Sequence, residues 1–351
     1  MKRITYVDFI IVGRGIAGSI LAHELMNAGQ KIVVYDTPSE NKSSTVAAGL
    51  FNPVTGRRFV KTWMADPLFS YLSEFYENLE KKLNTKWYFP IPLFRPFLSV
   101  KEKNDVIARN QAEDLGFYIH QIIEKPFENR VFRNVYGGIL LKKTGYINIP
   151  ELISGIRKKI IQKGEFKEEL LEYSQLEILQ PGVRYKEYIA HKIIFCEGVG
   201  GVKNPYFSWL PFRPVKGEII LIRPEADLDI IFNRQIFILP LIDKTLKVGA
   251  TYDWDNIDSQ PTEKGKKFLE EKLNHYLKVN YNVIDQFAGV RPATKDRRPF
   301  IGQHPEHPEL GIFNGLGSKG VSLAPYFARK FVDKLLFGKE LDKEVNIKRY
   351  Y

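Results

Sequence analysis

Four consecutive apolar residues, Phe9 to Val12, carry no polar alternation, which is the pattern of a short strand buried on both faces. The chain then passes through Gly13-Arg14-Gly15 into apolar positions at Ile16, Ile20, Leu21 and Leu25, a spacing that predicts one face of a helix ended by Gly29. Lys31 to Tyr35 predicts a second strand, closed by Asp36. Leu68 to Leu83 repeats the helical spacing, and PVKGEIILI and QIFILPLI are runs of β-formers bounded by prolines. Near the end, Asn314-Gly315-Leu316-Gly317-Ser318-Lys319-Gly320 opens a helical pattern that extends through Phe337 and stops at Gly338.

The first of these units has a chemical meaning. Gly13 permits a tight turn, Gly15 lets backbone approach a pyrophosphate, and Gly18 lets the helix that starts at Ile16 and Ala17 pack closely on the strand. The helix N-terminus points its N–H groups at the phosphates. Asp36 stands at the spacing expected for accepting hydrogen bonds from an adenosine ribose. Strand, glycines, helix, strand and acid in one short unit predict a dinucleotide site. No second fingerprint follows, and the single cysteine, Cys196, excludes a CxxC redox pair. If the dinucleotide is FAD, its electrons come from a substrate and leave to oxygen or a separate acceptor.

Composition narrows this only a little. The 351 residues are 44% hydrophobic and 13% aromatic, as in a globular chain with a real core. A net charge of +11 suits a polyanionic partner such as RNA, although mixed runs such as EKGKKFLEEKL read as solvated helix faces. His304 and His307 in GQHPEHPEL have no third ligand nearby, so no metal is expected. The N-terminal apolar run is broken by Asp8 and is too short for a signal peptide; with no long apolar segment elsewhere, a cytoplasmic protein without membrane contact is expected.

The segment FAGVRPATKDRRPFIG crowds Arg291, Lys295, Arg297 and Arg298 among Gly and Pro. It reads as awkward for a helix and too interrupted for a long strand. Such cations suit a substrate carboxylate, a phosphate or water, and the residues alone leave these open.

Several segments resemble one family, the FAD-dependent oxidases of the D-amino acid oxidase, glycine oxidase and sarcosine oxidase superfamily. Ser43-Ser44-Thr45-Val46-Ala47-Ala48-Gly49-Leu50 is similar to the family loop that passes the pyrophosphate and reaches the flavin. Gly145-Tyr146-Ile147-Asn148-Ile149-Pro150 resembles its glycine-tyrosine lead into a helix, and the strand ending Cys196-Glu197-Gly198 its glycine near the cofactor. Gly289-Val290-Arg291-Pro292-Ala293-Thr294-Lys295-Asp296, followed by Pro299-Phe300-Ile301-Gly302, resembles the motif whose arginine clamps the substrate carboxylate. A forked guanidinium suits that task, while a structural ion pair is the competing use of Arg291. Lys295, Arg297 and Arg298 are then expected to face mostly water.

The loop Gly315, Gly317, Ser318, Lys319, Gly320 would favour negative charge at the flavin's pyrimidine edge. Its wording, with Val248-Gly249-Ala250-Thr251-Tyr252, is most similar to the flavin oxidase domain of the bacterial bifunctional enzyme that modifies the wobble uridine of tRNA, whose methyltransferase half has no counterpart in these residues. Lys247 stands where sarcosine oxidases place an oxygen-activating lysine, against the simpler reading of a solvent-facing strand lysine. Gly289 stands about where those enzymes attach flavin through cysteine, so the resemblance implies non-covalent FAD. Tyr252 is expected either to lend its hydroxyl to the substrate or to serve as a sheet aromatic.

The implied fold is α/β, with a Rossmann-like FAD-binding domain (residues 1–75, 146–208 and 286–351) interleaved with an antiparallel-sheet substrate domain (76–145 and 209–285). The implied activity is FAD-dependent oxidation of the C–N bond of a carboxylate-bearing amino acid or secondary amine, by hydride transfer to flavin N5. Two alternatives stand beside it: oxidative removal of a carboxymethyl group from a modified tRNA wobble uridine, and a flavin-binding protein without turnover.

Overall fold

The computed structural model describes residues 3–37, 43–56, 59–112, 115–126, 131–133 and 135–351. Its first sheet is built on β1 (Thr5–Val12), which pairs in parallel with β2 (Ile32–Tyr35) on one side and with strand Tyr188–Phe195 on the other. Glu165–Lys167 extends the parallel array beyond β2, and Leu310–Asn314 pairs in parallel with Tyr188–Phe195. Gly182–Tyr185 and Leu176–Leu179 add an antiparallel flank.

Between β1 and β2 runs α1 (Ile16–Asn27), whose residues Ile16 through Leu25 are all buried. A helix buried on every side needs cover beyond its sheet. Helices Ile149–Lys163 and Gly320–Phe337 supply it, and Ala65–Leu83 packs against the latter. The last helix ends on Gly338 at φ +71°, a left-handed cap that favours glycine.

A second eight-stranded sheet runs in the order Tyr281–Arg291, Val215–Pro224, Leu246–Gly249, Ile236–Pro240, Ile231–Arg234, Leu93–Pro96, Gly138–Leu141, Ile119–Ile123. All pairs are antiparallel except Ile231–Arg234 with Leu93–Pro96. Helix Glu263–Tyr276 covers its outer face, packed through Leu269 and Leu273.

The expectation for FAGVRPATKDRRPFIG needs correction. Its first five residues close an 11-residue strand, Tyr281–Arg291, that pairs along the whole of Val215–Pro224. Gly289 faces Gly217 across this ladder, so the break comes only at Pro292, which has no N–H to donate. Arg298 is not left to water either: it lies 4.1 Å from the Trp63 ring centroid and pairs with Glu344 at 3.1 Å. The same ladder runs through residues 285 and 286. We therefore propose that the boundary between the two units falls after Arg291, because backbone hydrogen bonds hold 286–291 in the second sheet.

Candidate active site

Between the two sheets lies one cavity of about 770 Å³, within the ~300–1,000 Å³ usual for ligand sites. At one end are Gly13, Gly15, Ile16, Ala17 and Asp36; in the middle Ser44, Ala47, Ala48, Gly49, Leu50 and Gly198; towards the second sheet Gly317, Ser318, Lys319, Gly320, Tyr252 and Arg291. Gly13 and Gly320, at opposite ends of the chain, thus share one wall.

The β1–α1 turn explains the first end. Gly13 sits at φ +94°, and a Cβ on Gly18 would fall 1.9 Å from the Gly13 carbonyl oxygen. Gly18 therefore buys helix-on-turn contact and lies off the cavity wall. The N-cap residue Gly15 has no side chain to cap α1 and no acid stands in the helix's first turn, so no carboxylate of the helix neutralises its start. Ser44 Oγ accepts from Ile16 N at 3.1 Å and ties the following loop to the helix start. Asp36, almost fully buried, accepts from Arg14 N at 2.9 Å and pairs with Arg14 Nε at 3.6 Å.

Two of the remaining predicted cofactor residues also lie off the wall: Thr45 and Gly315. A Cβ on Gly315 would meet Thr294 Cγ2 at 2.6 Å, so that glycine serves packing. The site gains residues that sequence reasoning passed over. Glu197 is held by Asn204 Nδ2 at 2.7 Å and by the Tyr173 hydroxyl, and burial pushes its carboxyl above the usual range. Gly217 lies beneath Arg291, where a Cβ would come within 2.0 Å of Nη2. An isolated glycine inside the strand PVKGEIILI was the available signal for such a close approach.

Arg291 ends its strand with a half-buried guanidinium in the cavity wall. Its Nη1 donates to the carbonyls of Lys216 (3.4 Å) and Thr251 (3.3 Å), and the group lies 4.6 Å from the Tyr252 ring centroid. Burial lowers its pKa, with Tyr252 opposing the shift. Among the described residues no carboxylate pairs with it, so the ion-pair use of this arginine finds no partner there. Tyr252 belongs to no strand and is 58% exposed, so it is a rim residue rather than a sheet aromatic.

Lys247 is off the cavity wall but does not face solvent. It is half-buried, with Nζ 3.5 Å from the Ala47 carbonyl, and desolvation lowers its pKa. Lys319 Nζ bonds the Thr62 hydroxyl, and burial, helped by Arg298 and Arg297, lowers its pKa too. Cys196 is 3% exposed and its thiol is pushed up by burial, which makes it a core residue and not a nucleophile. His304 Nδ1 accepts the N–H groups of Glu306 and His307, and so serves its own turn.

An anion-ready helix start, a buried acid at ribose spacing and a long cavity closed by a second sheet define a dinucleotide-binding protein of Rossmann type. The sequence profile described as DAO, FAD dependent oxidoreductase, matches residues 8–334, and the chain belongs to this family. It is 24% identical over 348 residues to the bifunctional protein ThiO/ThiG of Nostoc sp., covering 94% of this chain and 52% of that protein. It is 22% identical over 368 residues to glycine oxidase of Pseudomonas aeruginosa (94% and 95% covered). It is 24% identical over 400 residues to the tRNA 5-methylaminomethyl-2-thiouridine biosynthesis bifunctional protein MnmC of Leptospira interrogans (97% and 59% covered). The chain thus spans about half the length of the bifunctional ThiO/ThiG relative. The structure of glycine oxidase from Geobacillus kaustophilus superposes with a TM-score of 0.79 at 20% identity, covering 96% of both chains. FAD is the cofactor of this family, and the close turn at Gly13 and Gly18 with the acid-free α1 start fits its pyrophosphate. No described helix is long and apolar enough to cross a membrane.

Proposed function

We propose that the chain oxidises the C–N bond of a small amino acid or secondary amine that carries a carboxylate. The observation that carries this reading is Arg291: a guanidinium in the cavity wall, desolvated, with both neighbours set by backbone and no internal carboxylate among the described residues. A desolvated fork of this kind is best satisfied by two charge-assisted bonds from a ligand carboxylate. Tyr252 flanks that position, and Ile219, Phe237 and Val290 give the wall an apolar stretch that keeps water from the reacting carbon. Bound FAD supplies the two-electron acceptor. Holding the neutral amine at a fixed distance is then the main catalytic device of the chain. The name of the glycine oxidase relative supports the same reading.

The MnmC relative and the charge of +11 support a second reading, in which the amine is a substituent on tRNA. It ranks below the first because the rim loop beside Arg291 carries Asp253, Asp255 and Asp258, which oppose phosphate. The deciding experiment is an anaerobic titration of the purified yellow protein with glycine, sarcosine and a panel of small amino acids. Bleaching of the flavin band is expected with at least one of them. A flavin that none of these small amines bleaches, although dithionite does, and that tRNA carrying the carboxymethylamine bleaches, would move the assignment to RNA. One that neither substrate class bleaches would leave a binding protein without turnover.

Lys247 is proposed to hold a positive charge beside the flavin loop and so favour oxygen reduction. Lys247→Met is expected to slow aerobic turnover by roughly tenfold or more while anaerobic bleaching keeps its rate. The sign of the pH effect follows from the lowered pKa: charge is present at low pH and lost as pH rises through a value below the ordinary lysine range. Wild-type oxygen turnover should therefore fall in that alkaline limb, and the variant should lack the limb. Equal oxygen rates in both proteins across pH would remove Lys247 from the reaction.

A further inference from the structure

Arg291 depends on its direction as much as on its charge. The two carbonyls that orient it come from separate segments: Lys216 in strand Val215–Pro224 and Thr251 in the loop that follows strand Leu246–Gly249. That loop also carries Tyr252, whose ring underlies the guanidinium, and Ser259, which lines the cavity. Whatever joins loop to strand therefore sets two of the groups around Arg291, the Thr251 carbonyl and the Tyr252 ring.

The join is a compact one. Lys216 N donates to the Asp253 carbonyl at 2.8 Å, and Asp253 N donates back to the Lys216 carbonyl at 3.0 Å. Thr251 N donates to the Glu218 carbonyl at 3.1 Å, and Glu218 N to Thr251 Oγ1 at 2.8 Å. The period of two along the strand sends Gly217 and Ile219 to the cavity and the Lys216 and Glu218 side chains to the opposite face. There the Lys216 side chain, 1% exposed, bonds Asp258 Oδ1 at 2.6 Å, while Asp258 remains 53% exposed. Asp258 Oδ1 also accepts Gln260 N at 2.8 Å, so the carboxylate closes the loop as well as pairing with the lysine. An ammonium this far from water requires its counter-charge. Nothing in the wall of the cavity calls for a lysine here; its use is to draw Asp258, and the loop with it, onto the strand.

We infer that Lys216 and Asp258 form a latch that positions Arg291 and Tyr252 for the substrate carboxylate. The latch rests on the reading of Arg291 as the carboxylate ligand. Neither residue touches the ligand; both act through the loop, and both are positioning residues.

The test uses the FAD-loaded enzyme and acetate as an inert carboxylate, with binding followed by the change in flavin absorbance. Asp258→Asn keeps the shape and removes the charge, and it is expected to weaken acetate by about tenfold. Asp258→Glu should restore binding to within about threefold of wild type, a rescue that a loss of bulk stability would not give. In a double-mutant cycle, Lys216→Met added to Asp258→Asn should cost no more than the larger single change. Should the Asn variant lose its flavin, Asp258→Ser repeats the measurement with a smaller side chain. Unchanged acetate affinity in the Asp258 variants, beside an Arg291→Ala enzyme that no longer responds to acetate, would overturn the latch and leave the Arg291 reading standing. Acetate binding that survives Arg291→Ala would overturn both.

Discussion

Arg291→Ala is expected to lower the specificity constant for a carboxylate-bearing amine by roughly 30- to 1,000-fold, or about 2–4 kcal/mol of transition-state binding. The size follows from what the residue does in the wall. Its guanidinium is held by two main-chain carbonyls and the Tyr252 ring, and no described carboxylate neutralises it. The desolvation of the charge is thus already met in the folded protein, and a ligand carboxylate gains most of the Coulombic return. The loss should fall on substrates with a carboxylate and spare an amine without one. Steady-state kinetics on both, with Arg291→Ala and wild type, checks this. Unchanged kinetics on the carboxylate substrate would sink the assignment, and an equal loss on both substrates would point to damage to the fold.

Gly18→Ala should have the second large effect, this time on the cofactor. A single methyl there would lie 1.9 Å from the Gly13 carbonyl oxygen and 3.2 Å from Cys196 Cβ. The first neighbour is backbone of the turn that would cradle pyrophosphate, and it cannot yield without moving the turn. Overpacking of this kind costs about 1–3 kcal/mol, so FAD affinity should fall by about 5- to 150-fold where the turn shifts to relieve it. The ratio of flavin to protein absorbance after purification, together with a thermal melt read with and without added FAD, measures it. A variant that retains full flavin at wild-type affinity would show that the β1–α1 contact tolerates a shift.

How much of this was legible beforehand depends on the range of the interaction that fixes each feature. The dinucleotide unit was readable because every determinant lies within 28 residues: Phe9 to Asp36 holds the strand, the turn, the helix and the acid. The final helix was readable for the same reason, with its glycine loop before it and Gly338 after it. FAGVRPATKDRRPFIG was misread as too broken for a long strand, because what makes residues 287–291 a strand is a ladder to Val215–Pro224, some 70 positions away. Lys247 gave two readings that the sequence weighed equally, and only the approach of the Ala47 carbonyl from 200 positions earlier removed the solvent-facing one. Arg298 was assigned to water because neither Trp63 nor Glu344 is near it in the chain.

The sequence by itself determined the dinucleotide unit with its strand, turn and helix, and through its resemblance to a family it singled out Arg291 as the cation for a carboxylate. The first rests on local geometry: a turn that favours glycine and a helix dipole. Only the tertiary structure decided that Arg291 has no carboxylate partner among the described residues, that Gly217 makes room for it, and that Lys216 and Asp258 tie the rim loop to the strand that orients it. Each of these is a relation between strands that the chain order keeps apart. Pairing energy and burial, which no local pattern encodes, brought them to one face of the cavity.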